Sequence, residues 1–338
     1  MSARAAPWQN ESVTGMSGRT ARPHVRLLLG GLKSLLPGRR PYSMSSGTVD
    51  ARYGYSIWLR HLVMLAKHGI RGPFPVVVEL GPGDSVATGL SAILSGTDRY
   101  IGLDVLTHLA TSSGNSVLDD LIELFRTRTP IPAGDIYAAV RPALDSYAFP
   151  DVALGKAGLE ASADEQRIAT LRRDFATLAA GGDGPRMFRY AAPWTAGHVP
   201  EASADLVFSQ AVLQEIPHGG VRSPLRDTLA VITRWLRPGG ASAHQVDLGC
   251  YGVEPWNAHW SWSDLTWSLV RGRRDNFVNR EPVSTYLTVA RECGLSLVAA
   301  ELEEVVGVPD AALRPRFRSL PERERRTRSA FIILRKPL

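Results

Sequence analysis

From about residue 50 onward, short apolar β-branched runs alternate with stretches of helical periodicity. This alternation constrains the fold more than any other feature. Strands apolar on both faces must be covered on both, which argues for a largely parallel sheet between two layers of helices. Pro75–Leu80 (PVVVEL), Arg99–Val105, Met187–Tyr190, Ala204–Ser209 and Ser242–Leu248 read as five strands. Leu295–Val306 and Thr327–Leu334 read as two closing strands, a hairpin with a long loop. Helices are expected over Ser56–His68, Ser85–Leu94, Ser223–Leu236 and Pro282–Cys293, the third stopped by Arg237-Pro-Gly-Gly240. About 80 residues, Thr107 to Pro185, separate strands two and three, where one helix would suffice. Asn115–Arg126 and Asp164–Leu178 carry helical periodicity, so this insertion is expected to be ordered, as a lid, a substrate wall or a buttress.

A chain of 338 residues buries a core without staples, and 44% hydrophobic with 21% charged residues is ordinary for a globular protein. Cys250 and Cys293 are too few and too far apart for a disulfide framework or a metal knuckle, so a reducing, cytoplasmic setting is expected and no metal site. The net charge of +6 is mostly arginine and lies partly at the ends. It suits an anionic partner, but no basic cluster is interleaved with stacking aromatics, so a nucleic acid is not the expected ligand. No apolar run approaches the roughly 20 residues that span a bilayer. Residues 1–45 are expected to be a basic, disordered segment holding one short amphipathic helix, Val25–Leu36, with the main domain over 46–338. That helix can lie on a membrane surface or pack on its own domain, and its two glycines weaken it.

Glu79-Leu80-Gly81-Pro82-Gly83-Asp84-Ser85 follows a buried strand and precedes a helix. An α/β sheet places nucleotide-like ligands there, at the carboxyl ends of its strands. Gly81 and Gly83 remove β-carbons that would block a ligand, and a helix starting near Ser85 aims free N–H groups at it. Asp104 ends the second strand, 21 residues after Gly83, where an acid can hold both hydroxyls of a ribose. Residue 86 is Val, so the third glycine of a dinucleotide fingerprint is missing, and no tyrosine has a lysine four residues later as short-chain dehydrogenases require.

The E-x-G-x-G form resembles motif I of class I S-adenosylmethionine-dependent methyltransferases. Ala204-Asp205-Leu206-Val207-Phe208-Ser209-Gln210-Ala211-Val212-Leu213-Gln214-Glu215-Ile216 resembles that family's fourth-strand motif, and Trp235-Leu236-Arg237-Pro238-Gly239-Gly240 the loop before its fifth strand. Arg52–Leu62, Trp256–Trp260 and Asn279–Pro282 resemble segments of a bacterial subgroup of methyltransferase-domain proteins. The resemblance covers roughly residues 50–335. It implies a Rossmann-like, doubly wound, mostly parallel seven-stranded sheet with a helical insertion, and S-adenosylmethionine as cofactor. Glu79, Gly81, Gly83 and Asp84 would then line the methionine and ribose, with Ser209 and Gln210 at the end of strand four, and Asp104 would take the ribose hydroxyls. Adenine would sit against Ala191–Trp194, where no acid stands to accept from its amino group, leaving Trp194 as the stacking candidate.

Acceptor-side groups must come from the ends of strands four and five. Glu215 stands where many relatives have His. His244 and Asp247, three apart on a strand, face opposite sides, and Asp247 lies nearer the carboxyl end. Trp256 to Asp264 packs three tryptophans, His259 and an acid into nine residues, either a platform for a sugar-like or flat acceptor or a packed loop. Asp247, His259 and Glu215 are the catalytic candidates. Arg271, Arg273, Arg274, Asn279 and Arg280 could meet a substrate anion or form a solvated loop. The expected activity is O- or N-methylation of a small-molecule or carbohydrate acceptor. The alternatives are a non-catalytic S-adenosylmethionine-binding regulator or an RNA methyltransferase.

Overall fold

The computed structural model describes residues 25–36, 50–106, 114–133, 137, 140–179, 187–219, 223–274 and 277–338. The expectation of disorder at residues 1–24 and 37–45 lies outside the described residues, as do 107–113 and 180–185 of the insertion. The strands are β1 (Val76–Leu80), β2 (Arg99–Leu103), β3 (Phe188–Ala191), β4 (Ala204–Gln210), β5 (Leu236–Asp247), β6 (Ser296–Glu304) and β7 (Thr327–Arg335). They form one sheet in the order β3-β2-β1-β4-β5-β7-β6. The first five are parallel, and β7 enters antiparallel between β5 and β6. This is the doubly wound seven-stranded sheet the resemblance implies.

Strand alternation splits the core. Val77 faces α2 (Ala51–Lys67), α3 (Ala87–Leu94), α4 (Gly114–Arg126), α5 (Asp151–Ala163) and α6 (Glu165–Ala179). Val78 and Leu80 face α7 (Pro224–Trp235), α8 (Asp264–Arg271) and α9 (Val283–Glu292), with α1 (Val25–Ser34) packed outside α8. Local signals set the helix starts. Asp50 Oδ1 caps α2 by accepting from Arg52 N at 2.9 Å, and Ser223 caps α7 with Pro224 in its first turn. The edge strand β6 carries Glu301, Glu303 and Glu304, charges that discourage edge pairing.

Several elements depart from the expectations: α2 starts at Ala51 instead of Ser56, α8 lies where no helix was expected, and α5, α3 and β5 differ as follows. α5 was not expected, because Gly155 (φ +65°) breaks its periodicity. α3 starts at Ala87, two residues late, since Ser85 Oγ accepts from Ala87 N at 3.1 Å and holds Ser85 outside the helix. β5 starts at Leu236 instead of Ser242. Gly239 (φ +76°) and Gly240, whose Cβ would lie 3.0 Å from the Ala204 carbonyl oxygen, let the expected loop continue as a strand with a register shift beside Ala204 and Leu206.

Candidate functional site

β1 and β4 are neighbours whose following helices, α3 and α7, lie on opposite faces of the sheet, so their carboxyl ends are where a doubly wound sheet forms its ligand crevice. The turn after β1 forms its floor. Gly81 has φ +66° and Gly83 φ +69°, and a Cβ on Gly81 would stand 2.5 Å from Val212 Cγ2. Only glycine lets the β1 and β4 exit loops touch there. Asp104, 7% exposed, faces this turn: its Oδ2 accepts from Gly83 N at 3.2 Å and its Oδ1 from Val105 N at 2.7 Å. Trp194 N donates to the Asp104 carbonyl at 3.1 Å, which brings the loop after β3 alongside. Asp104 and the Gly81–Gly83 turn thus form one rim, with buried Glu79 and Asp84 next to the turn in sequence.

Glu79 lies inside this rim, 2% exposed, and accepts from the Tyr100 hydroxyl at 2.5 Å. Burial pushes its carboxyl up to about 8 against that hydrogen bond, and Asp104 adds to the rise. Folding therefore holds this proton more tightly than the unfolded chain does. The associated stability is complete below about 4.5 and is lost as pH rises through about 8. Glu79→Gln is expected to flatten the fall in melting temperature between pH 5 and 9 by a few degrees. Parallel pH–melting curves for the two proteins would refute this.

The turn after β4 faces the rim and carries Glu215. Asn279, itself buried, clamps this turn: its Nδ2 donates to the Leu213 carbonyl at 3.2 Å and the Ile216 carbonyl at 2.8 Å, and its own N–H to Gln214 O at 2.6 Å. Glu215 Oε1 accepts from the Tyr251 hydroxyl at 3.1 Å. Burial raises its carboxyl to about 7, opposed by Tyr251 and reinforced by the Asp104 charge. This half-buried carboxyl is thus poised to exchange a proton near neutral pH.

The other candidates fall differently. Ser209 is fully buried, and its hydroxyl pairs with His244 Nδ1 at 2.8 Å, while Ser242 takes the other ring nitrogen. His244 is therefore a hydrogen-bonded core residue, pushed by burial to about 3. Gln210 is committed too: Oε1 meets His61 Nε2 at 3.1 Å and Nε2 donates to Arg141 O at 2.9 Å. Asp247 is half-buried at the end of β5 and accepts from Gly249 N at 2.9 Å; burial raises its carboxyl. Trp194 is half-buried, edge-on to Trp235 at 5.5 Å.

His259 calls for a correction. It has no accessible surface and sits among Trp260, Trp262 and Trp267, with burial lowering its imidazole to about 3. A base must reach its proton, and this ring is interior. The tryptophans of the same segment are also core: Trp256, Trp260 and Trp262 are 3%, 0% and 4% exposed, so they offer no platform to a sugar. Arg280 is buried over Trp267 and Phe317, and half-buried Arg274 lies over Phe277 and donates to the Val270 and Arg271 carbonyls. Neither is held out to a substrate anion.

Several residues gain roles that sequence reasoning missed. Arg60, 1% exposed on α2, donates to the carbonyls of Pro132 at 3.0 Å and Pro142 at 2.6 Å and to Ser56 Oγ at 3.0 Å. It ties the segment after α4 onto α2. Arg141 in that segment pairs with both carboxylate oxygens of Glu303 at 2.7 Å, and its carbonyl meets Gln210. The insertion thus forms a wall beside the end of β4. Tyr53 belongs to the same neighbourhood: burial raises its hydroxyl to about 12, and the charges of Glu79 and Asp84 add to the rise. Its only sequence signal is its place in the Arg52–Leu62 segment. Among the described residues no group of three or more His, Cys, Asp or Glu could hold a metal ion, and no helix is long and apolar enough to cross a membrane.

No family model matches the chain, and no curated protein matches it. Among solved structures it is similar to an S-adenosylmethionine-dependent methyltransferase from Methanosarcina mazei, at 10% identity and TM-score 0.43, over 81% of this chain and 97% of that one. It is similar to the [4+2]-cyclase SpnF at 12% identity and TM-score 0.39, over 93% of each chain. It is also similar to the CurJ carbon methyltransferase at 13% identity and TM-score 0.39, over 85% of this chain; the match spans 55% of that protein's length.

Proposed function

We propose that the chain binds S-adenosylmethionine in the crevice between β1 and β4 and transfers its methyl group to a hydroxyl or amine of a small-molecule acceptor. The observation that carries this reading is the placement of Asp104 across from the positive-φ glycine turn, with Gly83 N on its Oδ2. Vicinal ribose hydroxyls are donors, and a carboxylate held beside the glycine turn by backbone N–H groups is the kind of group that accepts from them in charge-assisted bonds. The glycine turn leaves room for the ligand's backbone-side approach. When bound, the cofactor supplies a methyl group already activated by its sulfonium.

This chain's residues do the rest. Glu79 and Asp84 line the methionine side, and Trp194 borders the adenine side. Ser209 and Gln210 act through position, since their side chains are spent on His244, His61 and Arg141. Glu215, clamped by Asn279, takes the acceptor's proton, and Asp247 lines the acceptor side. The insertion wall excludes water. With Trp256, Trp260 and Trp262 buried, the hint of a carbohydrate acceptor loses its basis.

Calorimetry should show binding of S-adenosylmethionine and S-adenosylhomocysteine but not of NAD; binding of neither sulfur compound would refute the reading. In a labelled-methyl screen over small hydroxyl and amine compounds, the rate should rise as pH passes through about 7, where Glu215 ionises. Glu215→Gln should lower it by about 10²–10⁴ and remove that limb of the profile. A variant with the wild-type rate and profile would exclude Glu215 as the base.

A further inference from the structure

α1 is apolar on two faces and uses only one of them. Leu27 and Leu28 pack against the core, and Gly31 is buried against α8. A Cβ on Gly31 would lie 2.4 Å from the Val270 carbonyl oxygen, so only glycine permits this approach. Ser34 Oγ accepts from Arg273 N at 2.8 Å and pins the helix end. The solvent side carries Val25, Leu29 and Leu32, which are 70%, 48% and 44% exposed, and Leu36, 54% exposed, follows two residues past the helix end. The spacing of four and three residues puts the first three in a single stripe along the helix. Scattered exposed leucines need no explanation, but a continuous stripe on a helix already anchored by its other side does.

Charge indicates what covers it. Residues 1–49 contain seven arginines and lysines and one acid, Glu11. The remainder holds 32 basic and 32 acidic residues, so the whole formal surplus of +6 belongs to the segment that contains this stripe. Arg26 and Lys33 flank the stripe, and exposed Arg273 lies at its carboxyl end. The acid at the start of α8, Asp264, is paired with Arg280 at 3.4 Å.

We propose that α1 is an interfacial helix that docks the protein on an anionic lipid surface, its outer stripe entering the acyl boundary and its cations meeting the headgroups. Aliphatic burial and electrostatic attraction act together in such helices. A surface of like charge or an uncharged one would use only half of the device. The inference is independent of the methyl-transfer reading, because its readout needs neither cofactor nor acceptor.

The test is co-sedimentation of the full chain with vesicles of phosphatidylcholine alone or mixed with phosphatidylglycerol. The chain should sediment with the mixed vesicles, stay in solution with the neutral ones, and be released by high salt. Leu29→Ser with Leu32→Ser should weaken binding at least about tenfold, since two aliphatic side chains leave the boundary. The melting temperature should stay unchanged, because both positions already face solvent. Lys33→Glu with Arg26→Glu should weaken binding to mixed vesicles similarly. The proposal is overturned if the chain ignores mixed vesicles, or if the leucine variant binds them as the wild type does. It is equally overturned if size exclusion shows a dimer that this variant splits while no vesicle is bound, since a second copy then covers the stripe.

Discussion

Asp104→Ala is expected to lower affinity for S-adenosylhomocysteine by at least about a hundredfold. Two hydroxyl donors to one carboxylate are charge-assisted bonds worth about 1.5–3 kcal/mol each, and a factor of ten is about 1.4 kcal/mol. The carboxylate also organises its own surroundings, since it accepts from Gly83 N, Val105 N and Leu106 N. Asp104→Asn separates the two effects. It keeps one carbonyl oxygen for the turn but loses the charge, so it should bind several-fold better than the alanine variant while melting near the wild type. Calorimetry and a melting curve read both quantities. Unchanged affinity in Asp104→Ala would remove the ribose-binding role and with it the functional reading.

Arg60→Ala should destabilise the protein by about 4 kcal/mol, because buried carbonyls of the insertion lose their donor and a cavity opens. The guanidinium donates to the carbonyls of Pro132, Val140 and Pro142 and lies 4.9 Å from the centre of the Tyr147 ring. Denaturant unfolding should show a lower midpoint, and limited proteolysis should cut between Arg128 and Phe149 first, since that segment loses its tie to α2. Arg60→Lys keeps the charge but not the planar fork and should recover only part of the loss. A midpoint within about 0.5 kcal/mol of the wild type would show that other contacts hold the insertion wall in place.

Both predictions rest on residues of very different legibility. Asp104 could be located without coordinates, because a strand, a glycine turn, a helix and a second strand occur in one short stretch, and their order dictates which carboxylate faces which loop. The same holds for β1, β2, β4, β7 and the helix α7, whose strand and helix patterns and caps are local. The role of Arg60, visible only as a member of the Arg52–Leu62 segment, was hidden for the opposite reason. The carbonyls it donates to lie 72 to 82 residues away, in a segment without regular periodicity. Arg141 and Glu303 are 162 residues apart. Asn279 was visible as part of a basic stretch and of the Asn279–Pro282 segment, neither of which showed that its amide clamps the turn that carries Glu215.

The tryptophan-rich segment shows the limit from the other side. Composition alone allowed a ligand platform or a packed loop, because an aromatic face serves either purpose equally well. Burial decided for the core and took His259 with it. Glu215 moved the other way: next to Tyr251 and near Asp104, burial makes an ordinary acid into one that titrates near neutrality.

By itself, the sequence determined the order of the strands, the sheet type and the nearness of Asp104 to the glycine turn, because these follow from periodicity and from backbone freedom at single residues. Only the tertiary structure decided which polar groups face the crevice, which are spent on one another, and how strongly each carboxyl holds its proton. Those properties depend on burial and on partners far along the chain, and no local pattern encodes either.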